Sequence, residues 1–586
     1  MNPHPRMVRA APLLRTLLLV ALLGSICPLF AAEPTRDTLN AGQDLFDSNR
    51  VVKIDITLPA ADWDKLRNQE RDIAAEFGKE RLESATKSSY TWFSADIRID
   101  DTQFKNVGIR KRGLIGSADK ERPGLNIQLD RFEKGHRLGN HTALKLHNNK
   151  QDASNVRQAL AYQLFNAAGV AAPRCNLAVV TVNGQKLGVY SNIEAIDAPF
   201  LTQHFKGASG NLYEAQISDF RPGWTRTFEK KNNEEAKRDD LDAVAKALDS
   251  SDADLLTELG RVLDIDSFIS FWAMESLINH WDGFSGDLNN AFVYHSPTSG
   301  KLHFIPWGTD GTFGTHHIFV PFDPPASVWA VSYLSRRLYN HPVTQKKYRA
   351  RMEELLKTVW NEERLLAEVD RMLKLADGFS TIPPLLAAGP TEQLRQFIRN
   401  RRKEIEPELK QPAKPWLYPM RREVYSVPVA KVSAEFSASW VPHVFIPAGA
   451  GSKAKVTLDF YGRQYAAEFT DVKGAPDITN PQNATVLLTG SFKGVEVPVS
   501  IWMSVHTNFF SSGKKLEDAG TQAGILLVAG QFGTKDWRML ASSYGGATRL
   551  TKAERKLGAK VEGVIESELS NIPWEDFDLS KLKKSQ

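Results

Sequence analysis

The stretch at 280–314 constrains the fold most, because it predicts a β-hairpin with acidic and amide residues at both ends. Asp282 and Asn290 precede the first strand, and Asp310 follows the second. A hairpin folds the chain back on itself, so we expect Asp310 to lie near the other two residues. Carboxylate and amide oxygens suit Mg²⁺, and a loop carboxylate can act as a base. The pattern is typical of metal-assisted phosphoryl transfer, although its spacing alone is more often that of a structural loop.

The first 32 residues differ from the rest of the chain and predict a secretory signal peptide. An apolar run over 16–30 follows three arginines and ends in two alanines, and the first acidic residue is Glu33. The run is short and contains Pro28, so it is not typical of a transmembrane helix. We therefore expect an exported protein, secreted or in the periplasm or cell envelope, with no stable transmembrane anchor after signal cleavage.

Charge and cysteine content narrow the class of protein further. Removal of residues 1–32 lowers the count of basic residues from 74 to 71, against 69 acidic residues. A balance so close to neutral does not predict a nucleic-acid-binding surface. Cys175 is then the only cysteine, so we expect no intramolecular disulfide and a fold stabilised by packed cores. The oligomeric state is not predicted.

Changes of pattern along the chain predict an α+β protein of several units. The Asn-Gly pair at 183–184 is typical of a type I′ hairpin, and apolar residues over 268–278 predict a buried helix before the central stretch. A helical pattern interrupted near 383–384 and 389–390 gives way to short strands and glycine turns. The predicted units are a signal peptide at 1–32, an α/β module at 44–106, a core at 107–342, a helical extension at 343–410, a β-sandwich-like domain at 416–545 and a charged tail at 546–586.

Six segments in order resemble the spore-coat-protein-H (CotH) kinase family, an atypical branch of the protein-kinase-like fold. They are 107–110, 145–152, 160–174, 182–194, 210–213 and 305–310. The resemblance implies an atypical bilobal kinase-like domain over 107–342, whose N-terminal lobe begins in the 44–106 module. It also implies ATP and Mg²⁺ as cofactors, and Ser or Thr of an envelope or coat protein as the phosphoryl acceptor.

The same resemblance implies roles for four residues. Asp282 corresponds to the catalytic-loop aspartate and Asp310 to the magnesium aspartate. Asn290, with Asn289 as its neighbour, corresponds to the metal-binding asparagine. Glu194 corresponds to the hinge between the lobes, near the adenine. These roles agree with the local chemistry, in which hard oxygen ligands hold magnesium and a loop carboxylate acts as a base.

Three positions depart from the family pattern. Asn126 and Gln128 occupy a strand on which relatives usually carry lysine for the nucleotide phosphates, and Gln158 stands where many have glutamate. A missing lysine removes positive charge that stabilises the transition state. Four basic residues are candidates to replace it: Arg110, Lys111, Arg112 and Lys145.

Two alternatives to an active kinase stay open. Export takes the protein to a place where ATP is scarce, and the departures above would fit a catalytically impaired kinase-like scaffold of the envelope or coat. A carbohydrate-binding exoprotein is predicted instead if Trp440, Tyr461 and Trp502 form an exposed aromatic platform. Packing in a core is the more common role of such aromatic residues, and we favour it here.

Overall fold

The computed structural model describes residues 44–114, 117–314, 319–382, 384–477, 482–515, 523–530, 536–544, 548–575 and 577–583. These residues form a mixed α+β structure with three sheets. The predicted signal peptide lies outside them. Within the described ranges, no helix combines the length and the apolar character needed to cross a membrane.

The N-terminal part is built around a closed barrel of seven strands. Its elements are β1 (Val51–Thr57), α1 (Ala60–Asn68), α2 (Ile73–Glu76), β2 (Phe93–Ile99), β3 (Thr102–Arg112), β4 (Gly124–Gln128), β5 (Ala143–His147), α3 (Arg157–Ala167), β6 (Cys175–Val182) and β7 (Gln185–Glu194). The strands pair in the order β1-β2-β3-β4-β5-β7-β6, and parallel pairing of β1 with β6 closes the barrel. Asn183 and Gly184 both have positive φ, which confirms the predicted type I′ hairpin.

The predicted limit between the N-terminal module and the core, at residues 106 and 107, falls inside β3. Strands from both sides of that limit belong to the same barrel. The predicted limit is wrong because the contact that closes the barrel joins β1 to β6, more than a hundred residues later. Local patterns do not show such a long-range pairing.

Alternation along β3, β4 and β5 gives the barrel wall an apolar face and a polar face. Arg110 lies opposite Asn126, and Asn126 lies opposite Lys145. These three residues therefore form one row on the face turned away from the barrel core. The core face of the same three strands carries Val107, Ile109, Leu125, Ile127, Leu144 and Leu146.

A second part follows the barrel and contains the central hairpin. Its elements are α4 (Ala198–Phe205), β8 (Leu212–Ala215), β9 (Glu229–Lys230), α5 (Asp239–Leu248), α6 (Leu255–Val262), α7 (Ile265–Leu277), α8 (Phe284–Asp287), β10 (Ala291–Ser296) and β11 (Lys301–Pro306). The four strands form a sheet in the order β11-β10-β8-β9. Ala291 pairs with Pro306, so the predicted hairpin is confirmed. The predicted buried helix is also confirmed, because Phe271, Trp272 and Met274 of α7 are fully buried.

Four helices come next: α9 (Tyr333–Asn340), α10 (Pro342–Thr358), α11 (Glu362–Ala376) and α12 (Pro384–Lys410). The predicted interruption at 389–390 is wrong, because α12 continues through Pro390. Proline inside a helix removes one backbone hydrogen bond. Burial of Leu394, Ile398 and Ile405 further along the helix offsets that loss.

The C-terminal part is a single ten-stranded sheet. Its strands are β12 (Val427–Trp440), β13 (Lys453–Phe460), β14 (Arg463–Phe469), β15 (Asp471–Pro476), β16 (Asn483–Gly490), β17 (Val499–His506), β18 (Ala523–Ala529), β19 (Arg538–Tyr544), β20 (Arg549–Ala553) and β21 (Lys560–Asn571). They pair in the order β14-β13-β12-β15-β16-β17-β18-β19-β21-β20, and β12 also pairs with β21. The sheet therefore closes on itself, whereas the predicted β-sandwich-like domain would have two stacked sheets.

The predicted charged tail at 546–586 needs correction, because it contributes β20 and β21 to this sheet. β21 pairs with β12 along most of its length. Its charged residues Glu566 and Glu568 are exposed, while Ile565, Ser567 and Leu569, which alternate with them, are buried. Charge in this segment marks the solvent face of a strand and was misinterpreted as a loose tail.

One hydrophobic core extends from Val156 to Leu582 and includes residues of the helical and the β-rich parts. Trp440 and Trp502 are buried in the β-rich part, and Tyr461 is partly buried. These three aromatic side chains therefore do not form the exposed platform that the carbohydrate-binding alternative required.

Limited proteolysis is expected to cut first within 411–415, which joins α12 to the β-rich part. All five residues are exposed, and two of them are prolines, so the segment is accessible and lacks regular structure. Mass spectrometry should find two fragments that stay together in gel filtration, because both contribute to one core. A resistant fragment spanning 340–550, formed while the preceding residues are digested, would contradict this prediction.

Candidate functional site

The buried helix α7 holds the loop that carries Asp282 in place. Glu275 of α7 accepts hydrogen bonds from the backbone N–H groups of Phe284 and Ser285, both at 2.9 Å. A side chain at position 283 would clash with Glu275, since a Cβ atom there would come within 2.3 Å of its Oε1. Gly283 therefore lets the loop approach the helix closely.

The Asp282 carboxylate is held between two asparagine amides. Asn289 Nδ2 donates to Oδ1 at 3.0 Å, and Asn290 Nδ2 donates to Oδ2 at 2.7 Å. Burial of the carboxyl group raises the pKa of Asp282 to about 8; the Asn289 and Asn290 amides oppose that shift, and the charges of Asp287 and Asp310 add to it. The group is thus partly buried, oriented, and able to change protonation near neutral pH.

The end of the hairpin returns to Asn290. The backbone N–H of Trp307 donates to the Asn290 carbonyl oxygen at 3.1 Å. Gly308 has a positive φ of 51°, and a Cβ atom there would lie 2.4 Å from Asn290 Oδ1. The amide oxygen of Asn290 therefore faces the short turn at 308–311, and this turn carries Asp310.

His147 of the barrel wall reaches the same turn. Its Nε2 lies 3.6 Å from Asp310 Oδ2, and its Nδ1 accepts the backbone N–H of Asn149 at 3.1 Å. An accepting Nδ1 places the proton of the neutral ring on Nε2, toward Asp310. Burial lowers the pKa of His147, so the neutral ring is the form to expect there.

The donor set fits a magnesium ion bound together with phosphate. Among the described residues, no group of three or more His, Cys, Asp and Glu side chains forms a complete metal cage. Mg²⁺ commonly takes one or two protein oxygens and fills its other positions with phosphate and water oxygens. The Asp310 carboxylate and the Asn290 amide oxygen are oxygen ligands of this kind.

Basic side chains converge on the polar face of the barrel wall. The Arg112 guanidinium lies 5.3 Å from the centre of the Trp307 ring, and its Nη1 is buried with no hydrogen-bond partner among the described residues. Burial lowers the pKa of Lys145 to about 7, and the nearby charges of Arg112, Lys231 and Arg110 lower it further. Like charges held together in this way would be stabilised by an anion.

Lys111 is not one of these groups, although the sequence made it a candidate for the missing lysine. It is fully buried, and its Nζ donates to the carbonyl oxygens of Arg67 and Gln69 at 2.6 and 2.8 Å. The reason is the period of two along β3, which turns Lys111 to the face opposite Arg110 and Arg112. The structure therefore leaves three of the four basic candidates on the polar face.

Glu194 lies at the end of β7, where the chain leaves the barrel for α4. Its buried carboxylate is engaged by Arg174, whose Nη2 donates to Oε1 at 2.7 Å and whose Nε donates to Oε2 at 3.1 Å. The backbone N–H of Arg174 donates to Oε2 as well, at 3.0 Å. The Glu194 side chain thus fixes the end of β7 to Arg174, the residue before β6. A hydrogen bond to the adenine of ATP would therefore come from the backbone of this segment.

Sequence reasoning missed three polar side chains beside Asp310. His147 is one, and the buried hydroxyl groups of Tyr162 and Thr309, which interact with each other, are the others. His147 could have been found from its spacing of two from Lys145 on β5, whereas Tyr162 has the pattern of an ordinary core residue of α3.

Comparisons with known proteins find relatives named as a spore coat protein and as invasins. Inner spore coat protein H of Bacillus subtilis is 25% identical over 261 residues, which cover 41% of this chain and 70% of that protein. Invasin CotH2 of Rhizopus delemar is 23% identical over 260 residues, covering 40% of this chain and 43% of that protein. Invasin CotH3 of the same organism is 26% identical over 199 residues, or 30% of this chain and 33% of that protein. The chain thus spans less than half the length of either invasin.

The family model described as CotH kinase protein matches residues 109–405. This segment contains Asp282, Asn290 and Asp310 together with the basic face of the barrel wall. It covers just over half of the chain. The chain belongs to the CotH kinase protein family.

Proposed function

We propose that this protein is an atypical kinase that transfers the γ-phosphoryl group of ATP, with Mg²⁺, to Ser or Thr of a protein. One observation carries the proposal. The Asp282 carboxylate is bracketed by the amides of Asn289 and Asn290, and the Asn290 amide oxygen faces the turn that bears Asp310. A base and two oxygen ligands in this arrangement are what metal-assisted phosphoryl transfer requires.

Each residue then has a distinct task. Asp282 accepts the proton of the acceptor hydroxyl group, and the two amides orient its oxygens. Asp310 and Asn290 would hold Mg²⁺, which supplies charge neutralisation on the phosphates when it is bound. Arg112 and Lys145 supply positive charge to the phosphate oxygens in place of the lysine missing at 126 and 128. The barrel and the second part would be the two lobes of the kinase-like domain.

The surroundings of Asp282 and of Arg112 support this division of roles. A general base works best when its pKa is near the operating pH, and burial raises the pKa of Asp282 to about 8. Arg112 combines a buried Nη1 that has no hydrogen-bond partner among the described residues with a contact between its guanidinium and the ring of Trp307, the residue just before the turn at 308–311. A guanidinium group fixed in this way suits phosphate binding, because its fork needs little further ordering.

The acceptor that we propose is a protein of an outer layer of the cell. Two kinds of support exist, the signal peptide predicted at 1–32 and the names of the relatives, a spore coat protein and invasins. The proposed base and the proposed phosphate-binding face are independent of the acceptor. Nucleotide binding can therefore be measured first, and envelope and coat fractions can then be screened for the acceptor.

Mg²⁺ and ATP together are expected to raise the melting temperature of the full-length protein, whereas either one alone raises it less. Ligand at 100 times its dissociation constant stabilises the folded state by ~2.7 kcal/mol. Differential scanning fluorimetry with ATP, Mg²⁺ and both measures the effect. Asp266→Ala is a matched control, because that carboxylate is 75% exposed on α7 and should leave the shift unchanged. Absence of any shift in the wild-type protein would argue against nucleotide binding.

A further inference from the structure

A buried ion pair connects the candidate catalytic loop to the C-terminal part of the chain. Asp287 ends α8, the helical turn that follows Asp282, and its Oδ1 accepts hydrogen bonds from Arg421. Arg421 Nη2 donates at 2.6 Å and Nε at 3.0 Å. Both side chains are about 95% buried, with exposed fractions of 4% for Arg421 and 5% for Asp287. Arg421 precedes β12 and lies outside the segment matched by the family model.

The β-rich part in turn fixes Arg421. Its Nη1 donates to the carbonyl oxygen of Ile572 at 2.6 Å, and its guanidinium lies 4.0 Å from the centre of the Trp574 ring. Backbone hydrogen bonds pair the strand-like segments 420–422 and 573–575 on either side. The guanidinium is therefore held by residues after β21 and presented to α8.

We infer that Arg421 is a positioning residue for phosphoryl transfer. It fixes the position of α8 and hence the hydrogen bonds that Asn289 and Asn290 make with the Asp282 carboxylate. The inference rests on the proposed function. It makes the β-rich part a component of the active unit, although that part lies beyond the matched family segment.

The connection between α8 and the hydrogen bonds of the Asp282 carboxylate is short. Asp282 precedes α8, and Asn289 and Asn290 follow it, so both ends of this single turn enter the hydrogen bonds that hold the carboxylate. A displacement of α8 therefore moves the base relative to its two amides. Without Arg421, the buried Asp287 carboxylate would be unpaired, and exposing it to water would pull α8 outward.

A purely structural role is the rival explanation, in which the pair only joins two parts of the protein. Arg538 provides a control for that role. It also lies in the β-rich part, its side chain is buried, and its Nη2 binds Asp323 of the family segment at 2.8 Å. Its partner Asp323 is largely exposed and lies in the segment before α9, so we expect loss of this contact to leave the hydrogen bonds of Asn289 and Asn290 with Asp282 in place.

The test compares full-length Arg421→Met, Arg421→Lys and Arg538→Met with the wild type. The first readout is backbone amide hydrogen exchange of the peptide 279–290. The second is initial-rate kinetics with Mg²⁺-ATP and dephosphorylated casein as the acceptor. We expect exchange in Arg421→Met to rise about tenfold or more, and kcat to fall about 10²-fold with a KM for ATP within about twofold of the wild type. Arg421→Lys should recover part of both, and Arg538→Met should match the wild type.

The double variant Arg421→Met, Asp287→Leu keeps the test decisive if the single variant fails to fold, because apolar replacement of a buried pair usually preserves folding. It should fold, yet show the faster exchange and the lower kcat. Wild-type exchange and kcat in either variant would overturn the inference. A wild type that folds but binds no nucleotide would overturn the proposed function, and the exchange data would then still decide whether Arg421 positions α8.

Discussion

Replacing Asp282 with alanine is expected to abolish phosphoryl transfer while Mg²⁺-ATP binding stays within about twofold of the wild type. In the proposed mechanism the carboxylate acts on the acceptor hydroxyl group, and loss of a general base costs about 10²–10⁴-fold in rate. Its own contacts are with the amides of Asn289 and Asn290, so the nucleotide loses no direct ligand. Radiolabel transfer from ATP and calorimetric titration measure the two quantities. Asp282→Asn is the second variant, because its amide oxygen can still accept a hydrogen bond from Asn289 or Asn290.

Asp310→Ala gives the contrast that makes this prediction specific. Removal of a magnesium ligand should weaken Mg²⁺-ATP binding about tenfold or more, ~1.4 kcal/mol, as well as abolishing transfer. Asp266→Ala, on the exposed face of α7, should change neither quantity. Equal loss of nucleotide binding in the Asp282 and Asp310 variants would contradict the separate roles of base and metal ligand.

The scaffold alternative has its own signature in the same assays. Wild-type protein would then bind Mg²⁺-ATP without transferring phosphate, and Asn126→Lys or Gln128→Lys would confer transfer. We expect the opposite, because Asn126 already lies between Arg110 and Lys145 in the barrel wall. A third positive charge in that row would add repulsion, and Arg112 already supplies a fixed guanidinium beside Trp307.

The hairpin at the centre of the candidate site was predictable because its signals are local. Turn residues on both sides of a hairpin bring Asn290 and the turn of Asp310 together, and the backbone bond from Trp307 to Asn290 reflects that closure. Separation of Lys111 from Arg112 follows from strand alternation. The sequence did not reveal which face of the barrel wall lies toward the candidate site, because that depends on the pairing of β1 with β6 that closes the barrel.

Contacts that depend on distant pairing could not be predicted. Arg421 reaches Asp287 only because β21 pairs with β12 and brings Ile572 and Trp574 alongside it. In the sequence, Arg421 is one basic residue in a linker rich in charge and proline. The same limit explains the misassigned tail, whose strand β21 pairs with β12, more than a hundred residues earlier.

Stability should depend on pH through Glu275, the residue beneath the catalytic loop. Burial raises the pKa of Glu275 from 4.5 to about 8, although hydrogen bonds from Ser285 and Phe284 oppose the shift. The folded state thus favours the protonated form. Stability is complete below about pH 4.5 and is lost as the pH rises through about 8, by at most about 5 kcal/mol. The melting temperatures of the wild type and Glu275→Gln at pH 5 and pH 9 measure this contribution.

Glu275→Gln should therefore show a smaller fall in melting temperature between pH 5 and pH 9 than the wild type, because glutamine does not ionise. Its melting temperature at pH 5 should lie below that of the wild type, because the amide nitrogen cannot accept the backbone N–H that one Glu275 oxygen accepts. His280, 3.6 Å from Glu275, does not offset the charge, since burial lowers the pKa of its ring to about 4 and keeps it neutral. Glu258→Gln on the exposed face of α6 is the control and should follow the wild type at both pH values. Parallel melting curves for Glu275→Gln and the wild type would show that Glu275 ionises freely in the fold. The loop carrying Asp282 would then rest on a carboxylate rather than on a neutral acid.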